Sequence, residues 1–239
     1  MSRTKYLVKN IGLLSISALG TKLIAFFLVP LYTSILTTSD YGILDLINTS
    51  TSLLLPILTL GISSAVMRYA MEADCDRKSV FSYGIKLCFI SSLIVLLLLI
   101  LNYIFSFNAV IKQNTIFVFF MFFITTLTNI LPQFARGIEN VKAIAISGIL
   151  YSFAVAVLNI YFLVVLKLGI KGYLLAYIIG GIIQIFFLFV DSKMWRYISI
   201  GRIDKNLKNK MLSYSMPLIA NDISWWITSA SDRYVVTGL

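Results

Sequence analysis

Long apolar stretches alternate with short polar segments along the whole of this chain. A helix needs about 20 mostly apolar residues to cross a hydrocarbon core of about 30 Å. Six stretches meet this length, and a further one runs on to the last residue. The pattern therefore predicts an all-α, polytopic membrane protein. The predicted spans are residues 11–36, 41–67, 79–105, 115–134, 143–166, 172–190 and 211–239.

Basic residues are distributed unevenly between the two sides of these spans. Fourteen Lys and Arg residues lie in the N-terminal tail, in the second-to-third and fourth-to-fifth connections, and in the segment 193–210. The opposite side has only Lys112, Lys167 and Lys171. Loops rich in Lys and Arg are retained in the cytoplasm, so we expect a cytoplasmic N-terminus.

The spans and the basic segment together suggest a division of the chain. Residues 1–192 form a predicted six-helix transmembrane lobe, and 193–210 a basic cytoplasmic linker. Residues 211–239 are interpreted as the seventh helix, at the start of a second lobe. The apolar run reaches Leu239 without a polar flank, so we expect the sequence to be a piece of a longer chain.

Composition narrows the function classes. The net charge of +10 would suggest nucleic acid as a partner of a soluble protein, but here the basic residues flank the spans. The chain has no histidine, which excludes Ser-His-Asp and Cys-His catalysis and His-ligated metals. We therefore predict no nucleic-acid partner, no catalytic residue, no metal site and no cofactor, apart from a coupling ion such as H+ or Na+.

Polar residues inside a span face the bundle interior or a wet cavity, because they are costly in hydrocarbon. In the second span they recur at intervals of four and three. This stripe either packs helices closely or lines a cavity. Packing explains the carboxylate at position 45 less well, unless that residue lies near the outer interface. The members of the stripe are Asp45, Thr49, Ser52, Pro56, Thr59 and Ser63.

Lys22 lies near the middle of the first span. A charge at a helix centre costs about 2.5–3.5 kcal/mol on insertion scales, which favours a place in a cavity over a purely structural ion pair. Asp222 lies near the middle of the seventh span and is a candidate partner for Lys22. Such a pair would act as structural glue, as a substrate site or as a proton-linked switch.

The seventh span carries further candidates beside Asp222, namely Trp225, Trp226, Asp232 and Arg233. Tryptophan favours membrane interfaces. At mid-span that interpretation weakens, and the two indoles become a candidate platform for stacking a sugar ring.

Two more basic residues complete the set of candidates. Lys86 lies about two turns into its helix and could snorkel to the interface, and Arg136 also fits an ordinary inside-positive flank. Together with Lys22 and Arg233 they would give a cavity a cationic lining that attracts an anionic phosphate. One face of the sixth span, with Tyr173, Tyr177 and Gln184 beside Gly180–Gly181, is explained by close helix packing.

Several local motifs resemble a known family, the oligosaccharide flippases of O-antigen and capsule assembly. These Wzx-type exporters belong to the multidrug/oligosaccharidyl-lipid/polysaccharide superfamily. One departure is Ser34, where family members often carry an arginine. The resembling segments are VPLYTSILTTSDYGI at 29–43, RGIEN at 136–140, YSMP at 214–217, SWW at 224–226 and SDRY at 231–234.

The resemblance implies a MATE-like fold, with two six-helix lobes that rock around a midplane cavity. It also implies the cargo, an oligosaccharide on undecaprenyl pyrophosphate, and a location in the bacterial cytoplasmic (inner) membrane. Membrane lipid and a glycan polymerase are the implied partners. The cytoplasmic acids Glu72, Asp74 and Asp76 are interpreted as a solvated loop.

Other functions remain open at the level of sequence. Drug export and flipping of peptidoglycan precursors occur within the same superfamily, although a cavity lined by Lys22 and Lys86 favours an anionic cargo. A membrane enzyme, such as a polymerase or a polyprenyl-dependent glycosyltransferase, usually needs a sizeable external loop, and the predicted external loops are short. A non-transporting scaffold is the third class.

Overall fold

Helices make up almost all of the structure. The computed structural model describes residues 3–199, 201 and 204–237, and these residues contain no strand. They contain nine α-helices, a π-helical turn at Ile160–Val165 and a 3-10 turn at Met194–Tyr197. The α-helices are α1 Arg3–Ile35, α2 Thr38–Leu58, α3 Ile62–Met71, α4 Arg77–Phe105, α5 Ala109–Gln113, α6 Thr115–Gly137, α7 Val141–Asn159, α8 Ile170–Asp191 and α9 Lys205–Thr237.

Six of the described helical segments are long and apolar enough to cross a membrane. They are α1 from Gly12 onward, α2, α4, α6, α7 with its π-helical turn, and α8. The six complete predicted spans are thus confirmed, and the chain is an all-α multi-pass membrane protein. Helix α9 is long enough to cross but is more polar than these six. It begins at Lys205, within the segment interpreted as a linker.

The second span is shorter than predicted, because α2 ends at Leu58 instead of continuing to residue 67. Its end is a Schellman motif, in which the Gly61 N–H donates to the Pro56 carbonyl at 2.9 Å. Leu60 and Gly61 both have positive φ, 55° and 59°. Two consecutive left-handed residues cannot continue a right-handed helix, so α3 starts as a separate helix.

Helix α6 is the central element of the bundle. It packs against α3, α4 and α8, and it also contacts α2 and α7. Helix α1 lies at the edge, mainly on α7, whereas α9 lies against α2 and α3. The chain therefore wraps most of its helices around α6 and leaves α1 and α9 at the periphery.

Helix α8 approaches both of its neighbours closely through two adjacent glycines. A Cβ atom on Gly180 would lie 2.5 Å from a methyl carbon of Val155 in α7. A Cβ atom on Gly181 would overlap a methyl carbon of Ile124 in α6. Small residues allow membrane helices to approach in this way, so this pair serves packing, as the sequence predicts.

The helix connections gather at two ends of the bundle, as spans of alternating direction require. The linker end carries residues 72–76, 138–140 and 192–199, and the far end carries residues 36–37, 106–114 and 166–169. At the linker end the Asn140 amide donates to the Ser192 hydroxyl at 3.0 Å, which ties two connections together. Behind them lies a buried cluster in which Phe81 and Phe134 are almost fully enclosed.

Candidate functional site

Three of the predicted site residues are exposed on three different helices. Lys22 lies on α1, Asp45 on α2 and Asp222 on α9. We call the exposed residues of these three helices, taken together, the α1/α2/α9 surface. Exposed ionisable groups within spans are costly unless they face water or a charged ligand, so this surface is the candidate site.

Helix α9 is attached to α2 through one of its two tryptophans. The Trp226 indole N–H donates to the Thr49 carbonyl at 3.1 Å, although that carbonyl also accepts from the Ser52 hydroxyl at 2.9 Å. Trp226 is half-buried, whereas the Trp225 side chain is 68% exposed. Trp226 therefore attaches α9 to α2. Of the two predicted stacking residues, only Trp225 leaves its ring exposed enough for a sugar to stack on it.

Contacts near the linker end hold α9 against α3. The Tyr69 hydroxyl donates to the Lys210 carbonyl at 3.2 Å. The Arg68 guanidinium lies over the Tyr214 ring, 4.4 Å from its centroid, a distance at which cation–π attraction operates. These contacts, together with the one from Trp226, fix the start of the predicted second lobe on the first.

The structure does not pair Lys22 with Asp222. Within the part of the chain whose side chains are described, the one salt bridge joins Arg68 to Glu72 at 3.4 Å. Helix α1 packs on α7, whereas α9 packs on α2 and α3. The two charges are therefore presented separately on the α1/α2/α9 surface in this conformation.

The remaining basic candidates lie elsewhere. Lys86 lines a trough between α4, α6 and α8, and no residue of α1, α2 or α9 lines it. Arg136 is exposed at the linker end and donates to the Gln133 side chain at 3.4 Å. The structure thus does not bring Lys86 or Arg136 together with Lys22. The side chains of Asp232 and Arg233 lie outside the described residues.

A cluster of three tyrosines lies near the far end. Tyr173 stacks on Tyr177 with ring centroids 4.5 Å apart, and it meets Tyr32 edge-on at 5.1 Å. The Tyr32 hydroxyl is buried beside the Tyr177 side chain. Tyr173 and Tyr177 share a helix face because they are four residues apart, as the sequence predicts, but their contact with Tyr32 of α1 was not predicted.

The acids at the linker end have structural roles. Asp76 caps α4 by accepting hydrogen bonds from the N–H groups of Lys78 and Ser79, both at 3.1 Å, and from the Ser79 hydroxyl at 2.7 Å. The hydrogen bond from the Ser79 hydroxyl is the main cause that lowers the pKa of Asp76 from its usual value. Glu72 is the partner of Arg68, so capping and ion pairing account for both carboxylates.

The helix bundle is similar to solved transporters. A MOP-superfamily transporter from Pyrococcus furiosus, described as having a binding pocket of reverse polarity, aligns with a TM-score of 0.69 at 18% identity, over 90% of this chain and 53% of its own. An outward-facing multidrug resistance transporter of the MATE family aligns with a TM-score of 0.64 at 18% identity, over 90% of this chain and 53% of its own. A MATE structure in a bent conformation aligns with a TM-score of 0.62 at 16% identity, over 90% of this chain and 50% of its own.

These likenesses establish a MATE-like fold. At such identities they show the fold alone, and the chain spans about half the length of the structures it matches. No curated protein matches the sequence at a significant level. Residues 7–239 match the family described as polysaccharide biosynthesis protein, a match that takes in all six spans and α9. The chain therefore belongs to the polysaccharide biosynthesis protein family.

Proposed function

We propose that the protein is a flippase for oligosaccharide repeat units linked to undecaprenyl pyrophosphate. The observation that carries this proposal is the match of residues 7–239 to a polysaccharide biosynthesis family. The MATE-like fold supports movement of a cargo over its synthesis, because the similar solved structures are transporters. The cargo would pass from the inner to the outer leaflet of the bacterial cytoplasmic membrane.

The α1/α2/α9 surface supplies the chemistry that this cargo needs. The Lys22 ammonium suits a pyrophosphate, since charge-assisted hydrogen bonds to phosphate are the stronger kind. Asp45 and Asp222 would accept hydrogen bonds from sugar hydroxyls, and Trp225 offers an exposed ring face for stacking. The polyprenyl tail would stay in lipid while the head group crosses between two lobes that alternate their access.

The orientation of the lobe is part of the same proposal. The linker end has most of the basic residues, and the positive-inside rule supports a cytoplasmic location for this end. The far end, with short connections, would then face the periplasm or the exterior. Cysteine replacements at Lys142 and at Lys171, both exposed, test this with a membrane-impermeant thiol reagent. Labelling of intact cells at position 171 but not at position 142 is the expected result.

Export of cationic drugs is the second candidate function. It is favoured by the likeness to a multidrug resistance transporter and by two exposed carboxylates, Asp45 and Asp222. Lys22 opposes it, because an ammonium repels a cationic cargo. Flipping of a peptidoglycan precursor would use the same surface for the same chemical class, a lipid-linked sugar pyrophosphate.

Deletion of the gene, followed by measurement of lipid-linked oligosaccharide on each leaflet and of surface glycan, tests the proposal. Accumulation on the inner leaflet with loss of surface glycan supports a flippase. Unchanged pools and normal glycan refute it, and increased drug sensitivity in the same strain would then establish export of drugs. Shortened glycan with a normal leaflet distribution would instead indicate a polymerase.

The coupling ion is open to a direct test. Reconstituted full-length protein is given lipid-linked oligosaccharide in vesicles that carry either a proton gradient or a sodium gradient. We expect transport to follow one gradient and to stop when the matching ionophore collapses it. Equal transport without any gradient would show that the protein is not ion-coupled.

A further inference from the structure

A trough on the α4/α6/α8 side of the lobe is distinct from the α1/α2/α9 surface. Its volume is about 440 Å³. Three phenylalanines, Phe81, Phe89 and Phe189, line it together with aliphatic side chains of α4, α6 and α8. Lys86 is the one charged residue in this lining, and the described chain gives it neither a salt bridge nor a hydrogen bond. An apolar trough with a single unpaired cation is the feature to be explained.

Ile198 and Ser199, in the connection that follows α8, line the trough at the linker end. The Ser199 N–H donates to the Ser82 hydroxyl at 2.8 Å, and that hydroxyl donates to the Tyr197 carbonyl at 3.2 Å. Ser82 precedes Lys86 by one helical turn, so both lie on the same face of α4. Lys86 therefore lies one helical turn further along α4 than the contact with the connection that follows α8.

Lys86 lies at a depth from which its amine reaches a lipid head group by snorkelling. The residue follows Arg77, the first residue of α4, by about 14 Å along the helix axis. A lysine at this depth extends its amine toward the interface while its methylene groups stay in the apolar trough. Trp195, 46% exposed, lies beside Phe189 in the 3-10 turn that follows α8, with ring centroids 6.1 Å apart. An exposed indole is typical of the membrane interface, which puts the end of the trough next to this turn at head-group level.

The apolar part of the trough continues toward the far end along α4. Phe89, Leu93 and Leu97 are each more than half exposed and follow one another every four residues. A row of this kind offers a path for an extended acyl chain that starts at the trough. Charge, depth and the apolar path thus fit one class of molecule, an amphiphile with an anionic head group.

We propose that the α4/α6/α8 trough binds an anionic phospholipid of the leaflet at the linker end, with its phosphate on Lys86 and an acyl chain along α4. Basic pockets between transmembrane helices recognise anionic head groups in this way. No residue of α1, α2 or α9 lines the trough, so the lipid does not compete with cargo on that surface. The site is therefore independent of which cargo the protein moves.

Native mass spectrometry of the full-length protein tests the proposal. The protein is extracted from vesicles with equal amounts of phosphatidylglycerol and phosphatidylcholine, and the retained lipids are counted. We expect wild-type protein to retain phosphatidylglycerol about fivefold over phosphatidylcholine, the preference that one lysine near the surface confers. Lys86→Ala should abolish the preference, and Lys86→Arg should keep it. Lys142→Ala, which removes another exposed lysine at the linker end, should not change it.

A second variant tests the apolar part of the trough. Ile185→Trp would fill the trough without a change of charge, so it should lower total lipid retention while Lys142→Ala does not. An unchanged preference in Lys86→Ala overturns the proposal. So does the recovery of an isoprenoid lipid in place of phosphatidylglycerol, or a structure of the full-length protein in which another part of the chain covers the trough.

Discussion

The two sides of the bundle differ in how much of their helices is buried. In the most apolar stretch of α1, 12% of the residues are buried, which is the lowest share of the six spans. The share is 22% for α2, the same as for α7, and it is 39%, 33% and 39% for α4, α6 and α8, the three helices around the trough. Elements that move or bind ligands are drawn from the less stable parts of a protein. Under the proposed function, the less buried helices α1 and α2 would carry the transport charges, and the helices around the trough would serve as scaffold.

The largest expected effect follows from removal of a charge on the α1/α2/α9 surface, which should lower transport without loss of stability. Lys22→Ala should lower export about tenfold or more, because a hydrogen bond to a charged group contributes about 1.5–3 kcal/mol. Asp222→Ala should act similarly. Surface glycan and the thermal unfolding midpoint are measured in the same strains.

Matched controls are available on the same helices. Leu23→Ala removes an exposed neighbour of Lys22, and Ser224→Ala removes a hydroxyl that bonds only within α9, to the Ala220 carbonyl. Both should export normally. Normal surface glycan from Lys22→Ala and Asp222→Ala would show that these residues are not part of a transport site. The proposed difference in role between the two sides would then be wrong.

The second effect is a loss of stability when a larger side chain is placed between the helices around the trough. Gly181→Leu forces a side chain into Ile124, and overpacking of this kind costs typically about 1–3 kcal/mol. Gly20→Leu makes the same change on α1, where a Cβ atom would meet nothing within 4 Å. Unfolding in mixed micelles should show destabilisation by the first and no loss of stability for the second. Equal losses would show that the two sides do not differ in packing.

The third effect is smaller and depends on pH. Asp76→Ala removes the N-cap of α4 and should cost about 1 kcal/mol. Because the folded-state pKa of Asp76 is lowered, its contribution is present above the pKa of the unfolded state and is lost as pH falls through the folded one. The stability difference between wild type and Asp76→Ala should therefore shrink on acidification. Asp76→Asn keeps a capping side chain and should retain most of the stability at neutral pH.

The smallest effect is expected inside the tyrosine cluster. Tyr32→Phe removes a buried hydroxyl that lies beside the Tyr177 side chain. It should change stability by no more than about 1 kcal/mol in either direction, which is the net contribution of a typical intramolecular hydrogen bond. A larger loss in chemical unfolding would mean that the Tyr32 hydroxyl makes a strong hydrogen bond in the folded protein.

The apolar pattern was enough to predict the six spans, because hydrophobic length determines which helices cross a membrane. It failed at Leu60, since apolar residues continue through the turn and only the backbone shows that Leu60 and Gly61 are left-handed. The sequence also predicted one cationic cavity lining that contains both Lys22 and Lys86, because both are charged residues within spans. Periodicity tells which face of a helix a residue occupies but not which neighbour that face meets, so the separation of the two lysines required the packing around α6.

The polarity of α9 bears on how the chain is made. With Asn221 and Asp222 near its centre, α9 is a weak candidate for insertion on its own, because each such group is costly in lipid. Helix α9 is held by groups of two helices that leave the ribosome much earlier. These groups are the Thr49 carbonyl on α2 and the Arg68 and Tyr69 side chains on α3. We expect α9 to enter the bilayer against helices that are already inserted there, so that insertion of the six spans prepares the place where the predicted second lobe begins.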